Sequence, residues 1–265
     1  MIQVTPGTSP EAKATSDLIA ILRDHVIPAA GHGTTLRVYI GGITATFADF
    51  ATIVAGKMPW FILAIVGLSF LLLMVAFRSL LIPATAAVMN LLAAAATFGV
   101  LTAFFQWGWG TDALGLGKAG PIDAYIPVLT LAILFGLSMD YQVFLVSRMN
   151  EEWVHGRDSR RAVRVGQLET ARVITAAATI MICVFLTFSF LGQRDIAEFG
   201  TGLAAAVALD AFLLRTILVP ALMHIFGNAN WWLPRWLDRR LPHLAIEPAA
   251  PAPAPTAPTP AGARS

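Results

Sequence analysis

Five long apolar segments, separated by short polar stretches, dominate the hydrophobic pattern between residues 58 and 227. A membrane-spanning helix needs about 20 mostly apolar residues, and each of these segments approaches or exceeds that length. The pattern therefore predicts a five-helix transmembrane domain over residues 58–227. The predicted spans cover about residues 59–77, 80–107, 124–147, 173–191 and 196–225.

The first 57 residues are more polar and predict a small α+β fragment ahead of the all-α bundle. Residues 2–5 and 36–40 have the composition and alternation of short strands. A helix is expected after Ser9-Pro10, and residues 43–55 predict a second helix that leads to the membrane. Helical spacing places four residues on one face of the first helix: Ala14, Leu18, Ile21 and Leu22.

Basic residues give the predicted bundle an orientation. The segment between the third and fourth spans carries six arginines, whereas the two opposite loops offer only Lys118 and Arg194. Positively charged loops face the cytoplasm, so residues 1–57 are expected outside the cell and the C-terminal tail inside. Residues 158–168 of the arginine-rich segment predict an amphipathic helix, which would either lie at the headgroup boundary or serve as an orientation signal with no further role. The six arginines are Arg148, Arg157, Arg160, Arg161, Arg164 and Arg172.

Composition agrees with a membrane protein and excludes other classes. Hydrophobic residues make up 57% of the chain and charged residues 13%, whereas about 25% charged is typical of soluble domains. The net charge of +2 does not indicate a nucleic-acid partner, and the lone Cys183 predicts neither an intrachain disulfide nor a metal site. Residues 228–247, rich in tryptophan, are expected at the cytoplasmic interface, and residues 248–265 as a disordered Pro/Ala-rich tail.

Few polar side chains lie inside the predicted spans, and Asp140 is the most informative of them. An ionisable side chain near the bilayer centre costs roughly 2.5–3.5 kcal/mol, so such residues are usually functional. At about 1.5 Å per residue, Arg215 reaches a depth close to that of Asp140, which makes a contact between them feasible. The other polar residues of the spans are Asn90, Tyr141, Thr175, Thr179 and Asp210.

These charges suggest a site that gains and loses a proton. Asp140, Asp210 and Arg215 sum to −1 when all are ionised, and one proton makes the cluster neutral. Burial favours the neutral acid and a nearby arginine favours the carboxylate, so the two effects oppose each other at Asp140. The coupling ion would be the proton, with no cofactor.

Structural roles remain open for each of these residues. Asp210 and Arg215 are also interpretable as a buried structural pair, and Tyr141 as a hydrogen-bond anchor for Asp140. Gly136 is expected to permit close helix approach. The other supporting polar residues, with packing as the simpler interpretation, are Asn90, Ser138, Thr175 and Thr179.

The stretch from Gly136 to Glu152, G-L-S-M-D-Y-Q-V-F-L-V-S-R-M-N-E-E, resembles the Asp-Tyr signature of the MMPL lipid exporters. These belong to the resistance-nodulation-division (RND) superfamily of proton-driven transporters. Residues 170–178, 210–223 and 230–234 fit the same family. The resemblance implies a role for Asp140 and Tyr141 in a proton relay, and export of lipids or other hydrophobic molecules across the cell membrane of a bacterium.

The resemblance covers only the C-terminal half of a usual family member. Such a relay normally pairs two Asp-Tyr motifs, one from each half, and this chain has one. Gln142, Ala171 and Phe212 are smaller departures from the family pattern. The polar start of the chain also lacks the pattern of a signal peptide. We therefore expect a second transporter half, as an N-terminal extension or a partner chain, with self-association as a weaker option.

Two other functions compete with the transporter hypothesis. An intramembrane aspartyl protease would use two membrane aspartates that share a proton, but Arg215 would disrupt such a pair. A membrane assembly or lipid-sensing module that does not transport would use the same bundle without titration of Asp140.

Overall fold

The computed structural model describes residues 3–8, 13–33, 35, 37–111, 115 and 119–239. Among these residues, five helices are long and apolar enough to cross a membrane. This confirms the predicted all-α bundle with five spanning helices. Three of the spans are single α-helices: α3 (Ile43–Phe77), α5 (Ile126–Gly156) and α6 (Ser159–Ser189). The second span begins with α4 (Leu81–Leu101) and the fifth with α7 (Arg194–Ala208).

Helix α7 lies at the centre of the bundle. It continues through a π-helical segment, Leu209–Leu218, into α8 (Val219–Phe226). In the most apolar stretch of this fifth span, 56% of the residues are buried, whereas the corresponding figure is 17% for α3 and 11% for α6. The charged residues of the fifth span therefore lie in the protein interior, and α3 and α6 lie at the periphery.

Glycine allows α7 to approach α6 closely. A Cβ atom at Gly200 would lie 2.6 Å from the carbonyl oxygen of Phe185 and 2.7 Å from the Cβ of Phe188. Both neighbours belong to α6, and one of them is rigid backbone. The contact between these helices therefore depends on the absence of a side chain at residue 200.

We predict that Gly200→Ala destabilises the bundle, because overpacking of a tight interface costs about 1–3 kcal/mol. Gly136→Ala is the matched control, since no described atom outside the local backbone of its own helix and its two chain neighbours lies within 4 Å of the position of its Cβ. Thermal unfolding in detergent, followed by circular dichroism, should give a lower midpoint for Gly200→Ala only. Equal midpoints for the two variants would contradict the close packing.

Two of the turns lie at the same end of the bundle and are tightly fixed. Between α3 and α4, the Ser79 hydroxyl accepts hydrogen bonds from the backbone N–H groups of Leu81 (3.2 Å) and Ile82 (3.3 Å). It donates to the carbonyl oxygen of Asn230 (2.5 Å), which fastens this turn to the end of the fifth span. Between α5 and α6, Asp158 accepts from the N–H groups of Arg160 and Arg161 and caps α6.

The arginine-rich segment therefore differs from the prediction. It is not a loop that contains a separate helix, because α5 extends to Gly156 and α6 begins at Ser159. The cap at Asp158 and the left-handed backbone of Arg157 (φ 52°) reverse the chain within two residues. Residues 158–168 form the first turns of a spanning helix.

At the opposite end, a buried ion pair secures the connection between α4 and α5. Nε of Arg194 lies 2.9 Å from Oε1 of Glu198, whose side chain is 1% exposed. The guanidinium also donates to the carbonyl oxygen of Gly120 (2.9 Å), and Glu198 accepts from the backbone N–H of Asp123 (3.1 Å). These bonds fix the long 107–125 connection to the start of α7.

The described part of the segment before the spans contains helices and irregular backbone but no strand, so the strand predictions were wrong there. Residues 3–6 and 37–40 form no strand, because neither pairs with a neighbouring strand among the described residues. Helices α1 (Lys13–Ile21) and α2 (Ile27–Gly31) flank a π-helical turn. Ile19 is buried, whereas Leu18 and Ile21, on the predicted apolar face, are exposed. Helix α3 begins at Ile43 and is continuous with the first span, so residues 43–55 form no separate helix.

The end of the chain is described as far as residue 239. Trp231 stacks on Trp153 of α5 with ring centroids 5.7 Å apart, while Trp232 and Trp236 are exposed. A short helix, α9 (Arg235–Asp238), follows. The predicted disordered tail, residues 248–265, lies outside the described residues, and the predicted domain boundaries stay predictions.

Candidate functional site

A buried ion pair lies in the π-helical segment of the fifth span. Nε of Arg215 donates to Oδ2 of Asp210 at 2.7 Å, and the two side chains are 3% and 6% exposed. In a π-helix the backbone hydrogen bonds join residues five apart, so side chains five apart lie on nearly the same side of the helix. In an α-helix the same two residues would point about 140° apart. The local π geometry therefore makes the pair.

Helix α5 supplies most of the other partners of Arg215. Its guanidinium donates to Oε1 of Gln142 (3.2 Å), to the hydroxyl of Ser138 (2.7 Å) and to the carbonyl oxygen of Ser138. Ser138 and Gln142 are four residues apart and share one face of the helix. Each of the three guanidinium nitrogens of Arg215 therefore donates to at least one acceptor. A buried charge needs such partners to offset the loss of water.

Asn90 of α4 completes the polar cluster. The Ser138 hydroxyl lies 2.6 Å from Oδ1 of Asn90 and 3.2 Å from Oδ1 of Asp210, so it can donate to either oxygen. Asn90 is 5% exposed and Ser138 is fully buried. We call the five residues Asn90, Ser138, Gln142, Asp210 and Arg215 the polar cluster. It joins the second, third and fifth spans.

Tyr141 borders the polar cluster without bonding to Asp140. The Cζ atom of Arg215 lies 5.5 Å from the centre of the Tyr141 ring, a distance at which a cation is attracted to an aromatic face. The Tyr141 hydroxyl donates to the sulfur of Met181 on α6, at 3.2 Å. The suggested role of Tyr141 as an anchor for Asp140 is therefore not seen.

Asp140 lies outside the polar cluster, which corrects the expected contact with Arg215. It is exposed, and it forms no hydrogen bond or ion pair with the described residues. The reason is angular, because two residues along an α-helix correspond to about 200° of rotation. Ser138 faces Arg215, and Asp140 consequently points away from it. The depth of Asp140 was estimated from sequence, but its direction was not.

An exposed strip on α5 surrounds Asp140. Residues three or four apart lie on one side of the helix, and the exposed residues follow that spacing. The strip consists of Leu129, Ala132, Gly136, Asp140 and Phe144. Gly136 is one turn from Asp140, but no helix of the described chain approaches it, contrary to the expectation of close packing at this glycine within the chain.

The two threonines of the fourth span are not part of the polar cluster. The Thr175 hydroxyl donates to the carbonyl oxygen of Ala171, and that of Thr179 to the carbonyl oxygen of Thr175, both at 2.7 Å. Both bonds stay within α6. Sequence analysis did not identify Gln142 or Met181 as site residues, although the four-residue spacing from Ser138 was a usable signal for Gln142.

The geometry does not form an aspartyl protease dyad. Asp210 is bonded to Arg215 and Ser138, whereas Asp140 points out of the bundle. Two carboxyl groups that share a proton must lie side by side. Within the part of the chain that the structure describes, no three His, Cys, Asp or Glu residues are placed to hold a metal ion.

Five spanning helices around a buried polar cluster define a multi-pass protein of the cell membrane with an intramembrane charged site. The chain belongs to the MMPL family, whose model matches residues 1–249, and so to the RND transporter superfamily. This confirms the resemblance noted in the Asp-Tyr signature.

Curated relatives cover nearly the whole chain. It is 39% identical over 247 residues to the "Mycolic acid-containing lipids exporter MmpL11" of Mycolicibacterium smegmatis, with 93% of this chain and 26% of the relative aligned. The identity to "Membrane protein YdfJ" of Bacillus subtilis is also 39%, covering 93% of this chain and 33% of that protein. The "Trehalose monomycolate exporter MmpL3" of Mycolicibacterium smegmatis is 36% identical over 78% of this chain and 20% of its own length. The chain thus spans a fifth to a third of these relatives.

Proposed function

We propose that this chain is one half of a proton-driven exporter of lipids or other hydrophobic molecules. The observation that carries the proposal is the position of Asp140. It lies within a spanning helix, exposed, with no hydrogen-bonding or charged partner among the described residues. An unpaired ionised carboxylate at that depth is costly, so Asp140 is a natural place for a proton to bind and leave.

A change of charge at Asp140 can reach the polar cluster through α5. The same helix carries Ser138 and Gln142, which hold the guanidinium of Arg215, and Tyr141, which packs against it. The ion pair itself is neutral, because Asp210 and Arg215 cancel. In this proposal Asp140 carries the transported proton, and the polar cluster links any movement of α5 to α4 and to the π-helical segment of the fifth span.

The exposed strip around Asp140 supports the expectation of a second transporter half. A carboxylate facing lipid is unfavourable, whereas a facing helix could supply a partner and exclude hydrocarbon. Gly136, one turn away, leaves space for such a helix to approach closely. The relatives are about three to four times as long as this chain, which is consistent with a second half as an N-terminal extension or a partner chain. A second copy of the chain is the weaker option.

The substrate class rests on the relatives, two of which are named as exporters of mycolic acid-containing lipids and of trehalose monomycolate. The orientation rests on the arginine asymmetry, which favours a cytoplasmic end for the α5–α6 turn and an outside location for residues 1–57. The proton gradient would supply the energy, about 2.3 kcal/mol per charge for each 100 mV.

The experiment uses proteoliposomes that contain the chain together with its second half and a fluorescent long-chain acyl trehalose. A chemical quencher outside the vesicles reports movement of the lipid across the membrane. We expect an imposed proton gradient to accelerate this movement and a protonophore to abolish the acceleration. Movement at the same rate with and without the gradient would refute proton coupling, and no movement would favour an assembly or sensing module.

A further inference from the structure

Helix α6 carries three arginines on the side that faces away from the bundle. Arg160, Arg164 and Arg172 are all exposed, and their spacings of four and eight residues keep them on one side of the helix. Leu168 occupies the intervening turn and is 69% exposed. The opposite side of α6 is the packed one and includes Ala162, Val163, Gly166 and Thr170. We call the three residues Arg160, Arg164 and Arg172 the arginine row.

The guanidinium groups of the arginine row form no hydrogen bond or ion pair with the described residues. Nearby arginines differ, since Arg148 lies 2.7 Å from Glu151, and Arg161 lies 3.9 Å from Glu152. The carboxylate of Asp158 caps α6 by accepting from backbone N–H groups. Glu169 is the other carboxylate on this part of the helix, and it forms no ion pair with the arginine row. The row therefore presents three positive charges that no side chain among the described residues neutralises.

The surroundings of the row indicate a lipid environment. Helix α6 is the least buried of the five spans, and beyond Arg172 its outer surface exposes Ile180 (64%) and Val184 (50%). An apolar outer surface of this kind faces hydrocarbon in a membrane. An exposed leucine set among arginines is also the pattern of helices that lie at a lipid headgroup layer.

We propose that the arginine row binds the phosphate groups of anionic lipids at the cytoplasmic surface of the membrane. The cytoplasmic location rests on the orientation proposed above. Clusters of basic residues immediately next to a spanning helix are attracted to anionic lipids. Phosphate oxygens suit the planar guanidinium group, which can form two hydrogen bonds to them at once.

The spacing predicts a gradient of effect along the row. The predicted hydrocarbon edge lies near residue 173, and the headgroup layer is about 5–7 Å thick. Arg172 falls within that layer. Arg164 lies about 12 Å from Arg172 along the helix, and its long side chain can extend toward the headgroups. Arg160 lies about 18 Å from Arg172 and interacts with the lipids only through its screened electrostatic field. Arg172 should therefore contribute most and Arg160 least.

The experiment places the full chain in phosphatidylcholine nanodiscs with a trace of spin-labelled phosphatidylglycerol or spin-labelled phosphatidylcholine. The immobilised fraction of each label gives the preference of the protein for the anionic lipid. A triple variant, R160Q/R164Q/R172Q, should lower this preference at least about tenfold, since each arginine near an anionic surface is worth roughly a fivefold change. Arg172→Gln alone should have the largest single effect.

Arg37→Gln is the matched control, because it removes one exposed arginine in the segment before the spans, and it should leave the preference unchanged. An equal loss in the control, or an unchanged preference in the triple variant that keeps its helical circular dichroism, would overturn the proposal. So would displacement of the labelled lipid by millimolar inorganic phosphate. Loss of the second half from the triple variant with intact lipid preference would assign the row to a protein contact. The assay requires no transport, so it is independent of the proposed function.

Discussion

Asp140→Asn is expected to reduce transport to the rate measured without a proton gradient, while the protein still inserts and folds. Asparagine has nearly the size of aspartate and can still form hydrogen bonds, but it cannot release a proton. Because Asp140 makes no hydrogen bond or ion pair with the described residues, its replacement should leave the polar cluster intact. A loss of transport would then report on titration and not on folding.

The measurement compares gradient-driven lipid movement in proteoliposomes, with the amount of folded protein checked by circular dichroism. Asp17→Asn makes the same chemical change at an exposed position in the segment before the spans, and it should transport normally. Gradient-driven movement by Asp140→Asn at the parental rate would exclude Asp140 as the proton carrier.

The contrast between Asp140 and Ser138 shows what sequence could predict about this site. The number of spans follows from apolar length, and five spans were correctly predicted. Depth within a span follows from the rise per residue. Contacts across the bundle also depend on how each helix is rotated about its own axis. Ser138 and Asp140 are only two residues apart on α5, yet Ser138 faces Arg215 and Asp140 faces outward.

The π-helical segment explains a contact that helical spacing alone does not predict. The sequence left a buried pair of Asp210 and Arg215 open as an interpretation, but an α-helical spacing would place the two side chains on different faces. Asp210 and Arg215, five residues apart, can pair because the backbone of residues 209–218 is π-helical. No glycine, proline or capping residue in that stretch indicates a π-helix from the sequence. Segments of this kind occur often at functional sites.

Strand and loop predictions failed for a different reason. Residues 37–40 have the composition of a strand, but pairing depends on a neighbour that local sequence cannot identify. The 148–172 segment was interpreted as a loop because of its charge. Helix-forming residues and the cap at Asp158 instead continue both helices beyond the apolar spans.

Arg215→Leu is expected to destabilise the protein by about 3–5 kcal/mol, the cost of leaving one member of a buried ion pair without its partner. The change would leave the buried Asp210 carboxylate with the Ser138 hydroxyl as its remaining hydrogen-bond donor among the described residues. The side-chain oxygen of Gln142 would also lose the hydrogen bond that it accepts from Arg215. Chemical or thermal unfolding in detergent would measure the loss.

The double variant D210L/R215L separates the structural role of the pair from its role in transport. Replacing both members of a buried ion pair with apolar residues is often neutral for stability, or stabilising by about 1–4 kcal/mol. We therefore expect the double variant to recover most of the stability lost in Arg215→Leu and yet to transport no lipid, because α5 would no longer be bonded to the fifth span through Arg215. If the double variant were both stable and active, Asp210 and Arg215 would be a structural pair only, and the link between Asp140 and the rest of the bundle would have to run through Tyr141 and its contact with Met181 on α6.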